Sequence, residues 1–284
     1  MMNQCPVCES ELESRRSPGL LYCKNCDIWV SDFSATIAKH SELIVEENRE
    51  EGLNELRLSN SNIILDTLQA HIPLENLRIC DVGCAYGWFV EAAGERGMDA
   101  VGIEPEESVA LQARARGLKI KIGYFPDCLE IGETYDAIAF NDSLEHLPNL
   151  PAIFTACHRT LTDSGKLIIN IPNSQGLFFK IAEKLAQLGY TKPWDRMWQK
   201  EYSFPHLIYV NPENLEQYVT PYGFELLESK TLDSVRVQGL WQRLRMDRST
   251  SWIVSAIMYL GILLIYPFLQ KCPSDILLQI YQKK

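Results

Sequence analysis

Four cysteines near the N-terminus have the spacing of a metal site. They form two Cys-x-x-Cys pairs, Cys5 with Cys8 and Cys23 with Cys26. Each pair makes a tight knuckle, and two knuckles supply the four thiolates of a tetrahedral structural zinc ion. A redox pair is the alternative, but two pairs outside a thioredoxin-like pattern favour zinc. Four thiolates leave no open position for catalysis, so the predicted role is structural, and such a ribbon could also recognise a partner or an acceptor.

A glycine-containing loop between a predicted strand and a predicted helix is a candidate ligand site. It reads DVGCAYG from Asp81 to Gly87, and Glu104 closes the next predicted strand. Gly83 and Gly87 have no Cβ, so the backbone can approach a ligand closely, and the following helix presents unpaired N–H groups. A carboxylate about 20 residues further on suits the two hydroxyls of a ribose. The loop lacks the Gly-x-Gly-x-x-Gly pattern of dinucleotide sites, which disfavours NAD.

Two of the five histidines lie where a general base would be useful. His146 follows the fourth predicted strand of the main domain, at the edge where ligands bind in parallel sheets, and His206 follows an aromatic segment. Imidazole can accept a proton near neutral pH, which transfer to a hydroxyl acceptor requires. The alternative for each is a histidine that only hydrogen-bonds a loop. Trp194 and Trp198 could form an apolar acceptor pocket or pack in the core.

An uncharged run over residues 249–270 is just long enough to cross the hydrocarbon core of a bilayer as a helix. Basic residues flank it, with Arg248 before the run and Lys271 after it. The alternatives are an interfacial helix, a membrane hairpin, and a helix packed on the catalytic domain or on a second subunit. The flanking charges favour membrane contact, and a chain that ends near Arg248 is then expected to remain folded.

Composition and apolar periodicity divide the chain into four regions. They are the predicted zinc ribbon 1–33, a helical linker 34–75, the main domain 76–240 and an apolar helical tail 241–284. In the main domain, buried-strand patterns alternate with amphipathic helices, and strands over 224–230 and 234–239 are expected to close it. The predicted fold class is therefore α/β, with a doubly wound, mostly parallel sheet.

Charge and cysteine usage restrict the partners and the compartment. The formal net charge is −10 and the sequence pI is about 5.1, so the surface repels phosphate backbones on average and nucleic acid is disfavoured. The first residues lack the apolar core of a signal peptide, and five of the nine cysteines are scattered singly. These features predict a cytoplasmic protein, which the apolar tail could attach to the inner face of a membrane.

Five segments, taken in order, resemble the motif series of class I S-adenosylmethionine-dependent methyltransferases. They are CDVGCAYGWFVEAA, VGIEPEE, YDAIAFNDSLEHLPN, GKLIINIPN and HLIYVNPENLEQYVTPYGFELLE. The series is similar in particular to the group that includes quinone and small-molecule O-methyltransferases, over roughly residues 75–230. Ordered motifs are far more specific together than singly. The resemblance implies a Rossmann-like methyltransferase fold with S-adenosylmethionine as the cofactor.

The resemblance also implies the residues of a cofactor site. The predicted cofactor-binding residues are Asp81, Gly83, Cys84, Gly87, Glu104, Phe125, Asn141 and Asp142. The glycine loop would hold the methionine moiety, Glu104 the ribose hydroxyls, and the segment 124–127 would pass the adenine. Asn141 and Asp142 would border the sulfonium pocket. Many members have glycine where this chain has Ala85, which narrows the loop slightly.

The predicted reaction is methyl transfer to the oxygen of a small-molecule, sugar or lipid-linked acceptor. The residues after the fourth strand read NDSL and not Asn-Pro-Pro-Tyr, which argues against methylation of a base amino group. The alternative is a ribosomal RNA base methyltransferase that binds RNA through its zinc ribbon, a layout that this sequence also resembles. The ribbon mixes Arg15 and Lys24 with Glu9, Glu11 and Glu13, which is a poor combination for binding phosphate.

Overall fold

The computed structural model describes residues 4–15, 17–34, 46–200, 204–246 and 250–284. Residues 35–45 of the predicted linker, together with Arg248 and Ser249, lie outside the described residues. The described strands are β1 (Glu13–Ser14), β2 (Leu20–Cys23), β3 (Ile28–Ser31), β4 (Arg78–Val82), β5 (Asp99–Glu104), β6 (Ile120–Ile122), β7 (Tyr135–Asn141), β8 (Leu161–Pro172), β9 (Ile208–Tyr209), β10 (Phe224–Leu232) and β11 (Ile276–Lys283).

Helices connect most of these strands. The described α-helices are α1 (Glu46–Gln69), α2 (Trp88–Glu95), α3 (Glu107–Ala115), α4 (Leu150–Thr160), α5 (Leu177–Gln187), α6 (Lys192–Met197), α7 (Pro212–Val219), α8 (Leu240–Arg245) and α9 (Trp252–Leu269). Two short 3₁₀ turns lie at Leu144–His146 and Thr220–Tyr222. The N-terminus of α7 has a reciprocal cap, in which the side chains of Asn211 and Asn214 each accept the other residue's backbone N–H.

The main domain is built on a seven-stranded sheet in the order β10-β11-β8-β7-β4-β5-β6. The strands from β8 to β6 pair in parallel, and β11 is antiparallel to both of its neighbours. Parallel strands connected through helices need cover on both faces, which explains why their sequences read as apolar runs. The predicted doubly wound, mostly parallel α/β fold is confirmed.

Each face of the sheet has its own core. Successive side chains of a strand point to opposite faces, so the residues of β7 divide between the two. Ala137 and Ala139 pack with apolar side chains of α1, α2 and α3, whereas Ile138 and Phe140 pack with those of α4, α7 and the N-terminal ribbon. All four side chains are fully buried.

The last part of the chain differs from the predicted helical tail 241–284. Strand β11 lies inside the sheet, where Ile276 pairs with Leu232 of β10 and with Pro172 of β8. Four of its apolar side chains are fully or almost fully buried, namely Leu277, Leu278, Ile280 and Tyr281, and the polar Gln279 is buried with them. The prediction of a strand over 234–239 is wrong, because the chain there leads into α8 and β11 takes the position beside β10. Residues 276–283 therefore belong to the main domain.

The N-terminal ribbon is joined to the main domain by a strand pair. Its three strands continue into β9 in one small sheet, with Trp29 of β3 opposite Tyr209 of β9. Trp29 packs edge-on against Trp194, and Trp198 packs against Tyr209, with ring centroids 5.1 Å and 4.9 Å apart. Trp194 and Trp198 are fully buried, so they belong to this core and do not form an acceptor pocket.

Candidate functional site

The loop that follows β4 is shaped by its two glycines. Gly83 and Gly87 have φ angles of +75° and +78°, in the left-handed region that favours glycine. A Cβ on Gly83 would lie 2.7 Å from the Cβ of Ser143, and one on Gly87 would lie 2.6 Å from Cδ1 of Leu118. Backbone conformation and space both require glycine at these positions. Ala85, between the two glycines, also has a positive φ of +46°.

Glu104, at the end of β5, holds this loop in place. Its Oε2 accepts a hydrogen bond from the backbone N–H of Ala85 at 2.9 Å, and its Oε1 accepts one from Glu106 at 2.8 Å. The side chain is in reach because β4 and β5 are parallel neighbours whose carboxyl ends lie side by side. A carboxylate oxygen has lone pairs for more than one donor. Glu104 can therefore hold the loop and still accept hydrogen bonds from a ligand.

Three side chains at the carboxyl edge of the sheet point to the same face. Asp81, Asn141 and Asn170 come from the adjacent strands β4, β7 and β8 and line one cleft. Asn141 Nδ2 donates to Asp81 Oδ1 at 2.8 Å. Burial raises the pKa of Asp81 to about 7, while the Asn141 hydrogen bond and the positive charge of Arg57 act in the opposite direction. The cleft thus holds a carboxyl group that titrates near neutral pH.

Several acceptors in this cleft have no donor. The Oδ1 atoms of Asn60, Asn141 and Asn170 are buried and have no hydrogen-bond partner among the residues that the structure describes. A buried acceptor without a donor costs about 1–3 kcal/mol. Together with the Asp81 carboxylate, these oxygens suit a ligand that brings N–H donors and positive charge, such as an ammonium group.

Helix α1, predicted as part of a linker, forms one wall of the cleft. Its residues Arg57, Asn60, Ser61 and Ile64 line the cleft. The guanidinium of Arg57 lies 3.8 Å from Asp142 Oδ2 and stacks over the Trp88 ring, 5.4 Å from its centroid. The four residues are spaced i, i+3, i+4 and i+7, which places them on one face of the helix. This spacing can be seen in the sequence and indicated that they share one environment. Polar residues on such a face are more often solvated, so these residues were not predicted as part of the site.

The remaining predicted cofactor residues divide into two groups. Asp142 (φ +51°) and Cys84 line the cleft, and the Cys84 sulfur packs against Gly102 of β5. Phe125 is buried and packs edge-on against Phe140, with ring centroids 6.1 Å apart. Phe125 is not among the cleft-lining residues, so its side chain supports the sheet. Of the eight predicted cofactor residues, five therefore line the cleft, whereas Gly87, Glu104 and Phe125 do not. Glu104 is connected to the cleft through its hydrogen bond to the loop at Ala85.

The two predicted catalytic histidines lie side by side, with ring centroids 4.9 Å apart. His146 Nδ1 is 3.0 Å from the carbonyl oxygen of Pro205, which can only accept, so this nitrogen carries the proton. His206 Nδ1 is 3.0 Å from the Tyr209 hydroxyl, which itself donates to the carbonyl of Met197. Burial, reinforced by the charge of His146, holds the pKa of His206 well below its usual value. His206 is therefore neutral at pH 7.

Glu145 completes this cluster and was not predicted from the sequence. Its Oε1 lies 3.9 Å from Nε2 of His146 and 4.0 Å from Nε2 of His206. Its Oε2 is buried without a partner in the described part of the chain. Burial raises the pKa of Glu145 well above its usual value, and the charge of Asp142 adds to this. The ligand atoms of Glu145, His146 and His206 lie within 4.8 Å of one another. The three side chains together can share a proton or hold a divalent cation.

The four N-terminal cysteines converge, and their sulfurs lie within 4.8 Å of one another. Cys8 Sγ and Cys23 Sγ are 3.6 Å apart. Four thiolates at about 2.3 Å from a tetrahedral metal ion would be separated by roughly 3.8 Å. Hydrogen bonding, first from Ser10, lowers the pKa of Cys8 to about 6, whereas burial raises that of Cys5 to about 11. The sulfur positions fit a four-thiolate metal site.

Hydrogen bonds connect the ribbon to the histidine cluster. The backbone N–H of Ser31 in β3 donates to the Leu207 carbonyl at 2.9 Å, and the Leu207 N–H donates to the Glu145 carbonyl at 2.7 Å. The Ser31 hydroxyl donates to the His206 carbonyl at 2.9 Å. The ribbon therefore fixes the segment that carries His206 beside the turn that carries Glu145 and His146.

Comparison with known sequences identifies relatives. A family described as "Methyltransferase domain" matches residues 46–229. The mitochondrial ubiquinone biosynthesis O-methyltransferase of Mus musculus is 26% identical over 192 residues, which are 61% of this chain and 49% of that relative. The ubiquinone biosynthesis O-methyltransferase of Xylella fastidiosa is 32% identical over 125 residues, which are 42% of this chain and 51% of that relative. The chain thus spans about half the length of these relatives.

Solved structures share the fold. A SAM-dependent methyltransferase from Archaeoglobus fulgidus has a TM-score of 0.51 at 18% identity, over 84% of this chain and 100% of that chain. The magnesium protoporphyrin IX methyltransferase of Synechocystis PCC 6803 with bound SAH has a TM-score of 0.50 at 12% identity, over 84% of this chain and 87% of that chain. These likenesses confirm the Rossmann-like methyltransferase fold. Since the family match runs from the start of α1 into β10, over well more than half of the residues, the chain belongs to the methyltransferase domain family.

Proposed function

We propose that this chain transfers a methyl group from S-adenosylmethionine to an oxygen atom of a small-molecule or lipid-linked acceptor. The observation that carries the proposal is the cleft at the ends of β4, β5 and β7. There a glycine loop, the buried Asp81 and the carboxylate of Glu104 lie together. The family match and the O-methyltransferase names of the relatives support this choice of reaction.

The residues of the cleft fit the cofactor group by group. Asp81 and the donor-free oxygens of Asn60 and Asn141 would hold the α-ammonium group, and Glu104 would accept the ribose hydroxyls. When bound, S-adenosylmethionine supplies a methyl group activated by the sulfonium. The main task of the chain is then to align the acceptor oxygen with that methyl group and to exclude water, which is an orientation effect.

His146 is the proposed general base for the acceptor hydroxyl. Pro205 fixes its Nδ1 as the protonated nitrogen, so Nε2 keeps the lone pair that accepts a proton. Glu145 Oε1 lies 3.9 Å from this nitrogen, and the two groups would share the proton that is taken up. His206 is buried and neutral, and its proposed role is to position this pair.

The four-cysteine ribbon is proposed to hold one structural zinc ion. A tetrahedral four-thiolate shell suits zinc and leaves no open coordination position. The main domain packs against the ribbon through β9 and Trp29, which supports a stabilising role. This use of the ribbon surface, together with the acidic sequence, makes a ribosomal RNA substrate the weaker alternative.

A cytoplasmic location at the inner face of a membrane is proposed, with contact through the apolar run 249–270. Helix α9, which covers most of this run, is long and apolar enough to cross a membrane. Only a small part of it is buried against the rest of the described chain, so packing on the catalytic domain does not account for its composition. A lipid-linked acceptor would be consistent with this location.

An acceptor screen tests the reaction. Release of S-adenosylhomocysteine would be followed with a prenylated catechol, a soluble catechol, a hydroxylated sugar and ribosomal RNA as acceptors. We expect turnover with a hydroxylated small molecule. His146→Gln should slow that turnover roughly 100-fold or more without changing donor affinity. The matched control is His158→Gln, which replaces a histidine on α4. Turnover with ribosomal RNA alone would overturn the proposal.

A further inference from the structure

Helix α9 leaves one long apolar face uncovered. Its five most exposed aliphatic and aromatic positions along that face are Ile253 (66%), Ile257 (65%), Leu260 (62%), Leu264 (83%) and Phe268 (67%). Their spacing of three or four residues places them on one side of the helix. The opposite side leans on the protein through Ser255, whose hydroxyl donates to the Leu244 carbonyl, and through Tyr259, which packs on Trp241.

Both ends of α9 are fastened to the same domain. Before it, α8 packs so closely on α1 that a Cβ on Gly52 would lie 2.7 Å from the backbone N of Arg243. After it, the Asp275 carbonyl accepts the Asn173 N–H at 2.9 Å, and β11 begins at the next residue. A helix of 18 residues is about 27 Å long. If α9 crossed a bilayer, α8 and β11 would have to lie on opposite sides of it, which the single folded domain does not permit.

The helix leaves the domain beside the cleft. Strand β10 is parallel to β8, so it ends at the same carboxyl edge of the sheet as the strands that carry the cofactor residues, and β11 starts there. Asn60, which lines the cleft, donates from Nδ2 to the carbonyl of Asp233, the first residue after β10. The exposed apolar face and the candidate site therefore share one edge of the molecule.

The charge of the inserted segment differs in sign from that of the chain. The chain carries a formal net charge of −10. Residues 233–275, the segment inserted between β10 and β11, contain three acidic residues and five basic residues, a formal net charge of +2. The acidic residues are Asp233, Asp247 and Asp275, and the basic ones are Arg236, Arg243, Arg245, Arg248 and Lys271. A positive segment around an apolar helix matches a surface that is negatively charged outside and apolar inside. An anionic lipid leaflet has both properties.

We propose that α9 lies in the plane of an anionic membrane, within one leaflet, and that the acceptor enters the cleft from that leaflet. The second clause rests on the proposed methyl transfer, whereas the first does not. A helix that lies in the membrane plane can stay attached to the domain at both of its ends. Its uncovered apolar face is then buried in the acyl region, and the carboxyl edge of the sheet lies at the lipid surface.

Sedimentation with vesicles tests the binding surface. The full chain should bind vesicles that contain phosphatidylglycerol more tightly than vesicles of phosphatidylcholine alone, and salt should weaken binding. The double variant Ile257→Ser with Leu264→Ser should lower partitioning roughly tenfold or more. Ile131→Ser with Leu188→Ser removes two exposed aliphatic side chains elsewhere and is the matched control. An equal loss of vesicle binding in both double variants would overturn the proposal. Failure of the full chain to bind vesicles would also overturn it.

Depth measurements distinguish an in-plane helix from a spanning one. Tryptophan would be introduced by Leu260→Trp or Phe268→Trp, and its quenching by lipids brominated at different depths would be read against the parent chain. Equal, shallow depths are expected. A deep residue 260 with a shallow residue 268 would indicate a span and contradict the proposal.

Two further outcomes separate the possible explanations. If the double variant turned a dimer into a monomer in lipid-free solution while vesicle binding stayed unchanged, the exposed face would be a subunit interface, and the proposal would fail. Binding of S-adenosylhomocysteine should be the same in the parent and the double variant. Loss of vesicle binding with donor binding intact would thus concern α9 alone, whereas a chain that bound vesicles but no donor would refute only the proposed methyl transfer.

Discussion

The Glu104 carboxylate accepts the backbone N–H of Ala85, 2.9 Å away, across the gap between two neighbouring strands. The same side chain accepts the N–H of Glu106, just before α3 begins. One carboxylate therefore organises the loop that would hold the methionine moiety and the position that would hold the ribose. Both functions depend on two negatively charged oxygens that only accept hydrogen bonds.

Glu104→Gln keeps the shape of the side chain but replaces one acceptor oxygen with an N–H₂ donor. We expect the affinity for S-adenosylhomocysteine to fall roughly 10- to 100-fold, since hydrogen bonds to charged groups contribute about 1.5–3 kcal/mol. Isothermal titration calorimetry measures the change, with the exposed Glu107→Gln as the control. Unchanged affinity, or tight binding of NADH by the parent chain, would contradict the assignment.

Gly83→Ala should damage the loop, because φ is +75° and the added Cβ would lie 2.7 Å from the Cβ of Ser143. We expect a loss of about 1–3 kcal/mol in unfolding free energy and weaker donor binding. Gly94→Ala is the matched control, since its Cβ would meet nothing within 4 Å and the residue lies in helix α2. Urea denaturation of both variants gives the comparison, and equal effects would refute the steric argument.

The pKa of Asp81, about 7 against an ordinary value of 3.8, predicts how stability depends on pH. The folded state holds this proton more tightly than the unfolded chain, so unfolding free energy falls as pH rises from about 4 to about 7 and then stays level. Asp81→Asn should remove about 1–4 kcal/mol of this decline. Urea denaturation at pH 5 and pH 8 measures it, with the exposed Asp163→Asn as the control. The same slope in both variants would show that Asp81 ionises normally.

The fold of residues 76–232 was readable from the sequence, whereas its last strand was not. Alternating apolar strands and helices indicate a parallel sheet wherever each strand is followed by its own crossover helix. Strand β11 departs from this rule, because it follows an exposed helix and pairs with β8, whose paired residues lie about 100 positions earlier. No local pattern reports a pairing of that separation. The segment 234–239 was closer in sequence to β10 and was therefore predicted in its place.

Residues of the site divide in the same way. Gly83 and Glu104 sit at fixed positions relative to strands, which a motif can express. Arg57 and Asn60 reach the cleft from a helix whose packing angle the sequence does not encode locally. Glu145 was missed because burial, not spacing, distinguishes it from ordinary acidic residues beside a turn.

Loss of the proposed zinc ion should affect the histidine cluster more than donor binding. Metal analysis should find about one zinc per chain, and Cys8→Ser should lower that content. Because β3 pairs with β9, loss of the ribbon should displace His206 and slow methyl transfer, while the affinity for S-adenosylhomocysteine stays within about twofold. Cys272→Ser, far from the cluster in sequence, is the control. A fully active, metal-free protein would contradict this prediction.

Truncation at Met246 should prevent folding, which reverses the expectation for a chain ending near Arg248. The deletion removes four buried apolar side chains of β11, each contributing roughly 1.5–3 kcal/mol, and their sum approaches the stability of a typical domain. A second chain, in which the 18 residues of α9 are replaced by the same number of glycines and serines, keeps β11 and should fold. Circular dichroism and donor binding compare the two, and a folded truncated chain would refute the role of β11.

The position of β11 also has a consequence for biosynthesis. Its partner β8 ends at residue 172, and β11 does not begin until residue 276. A ribosome must therefore synthesise the whole intervening stretch, α9 included, before the gap between β8 and β10 can be filled. During that interval the nascent chain displays an open strand edge together with an uncovered apolar helix, and both invite aggregation. We therefore expect the newly made chain to depend on chaperones until this late strand docks.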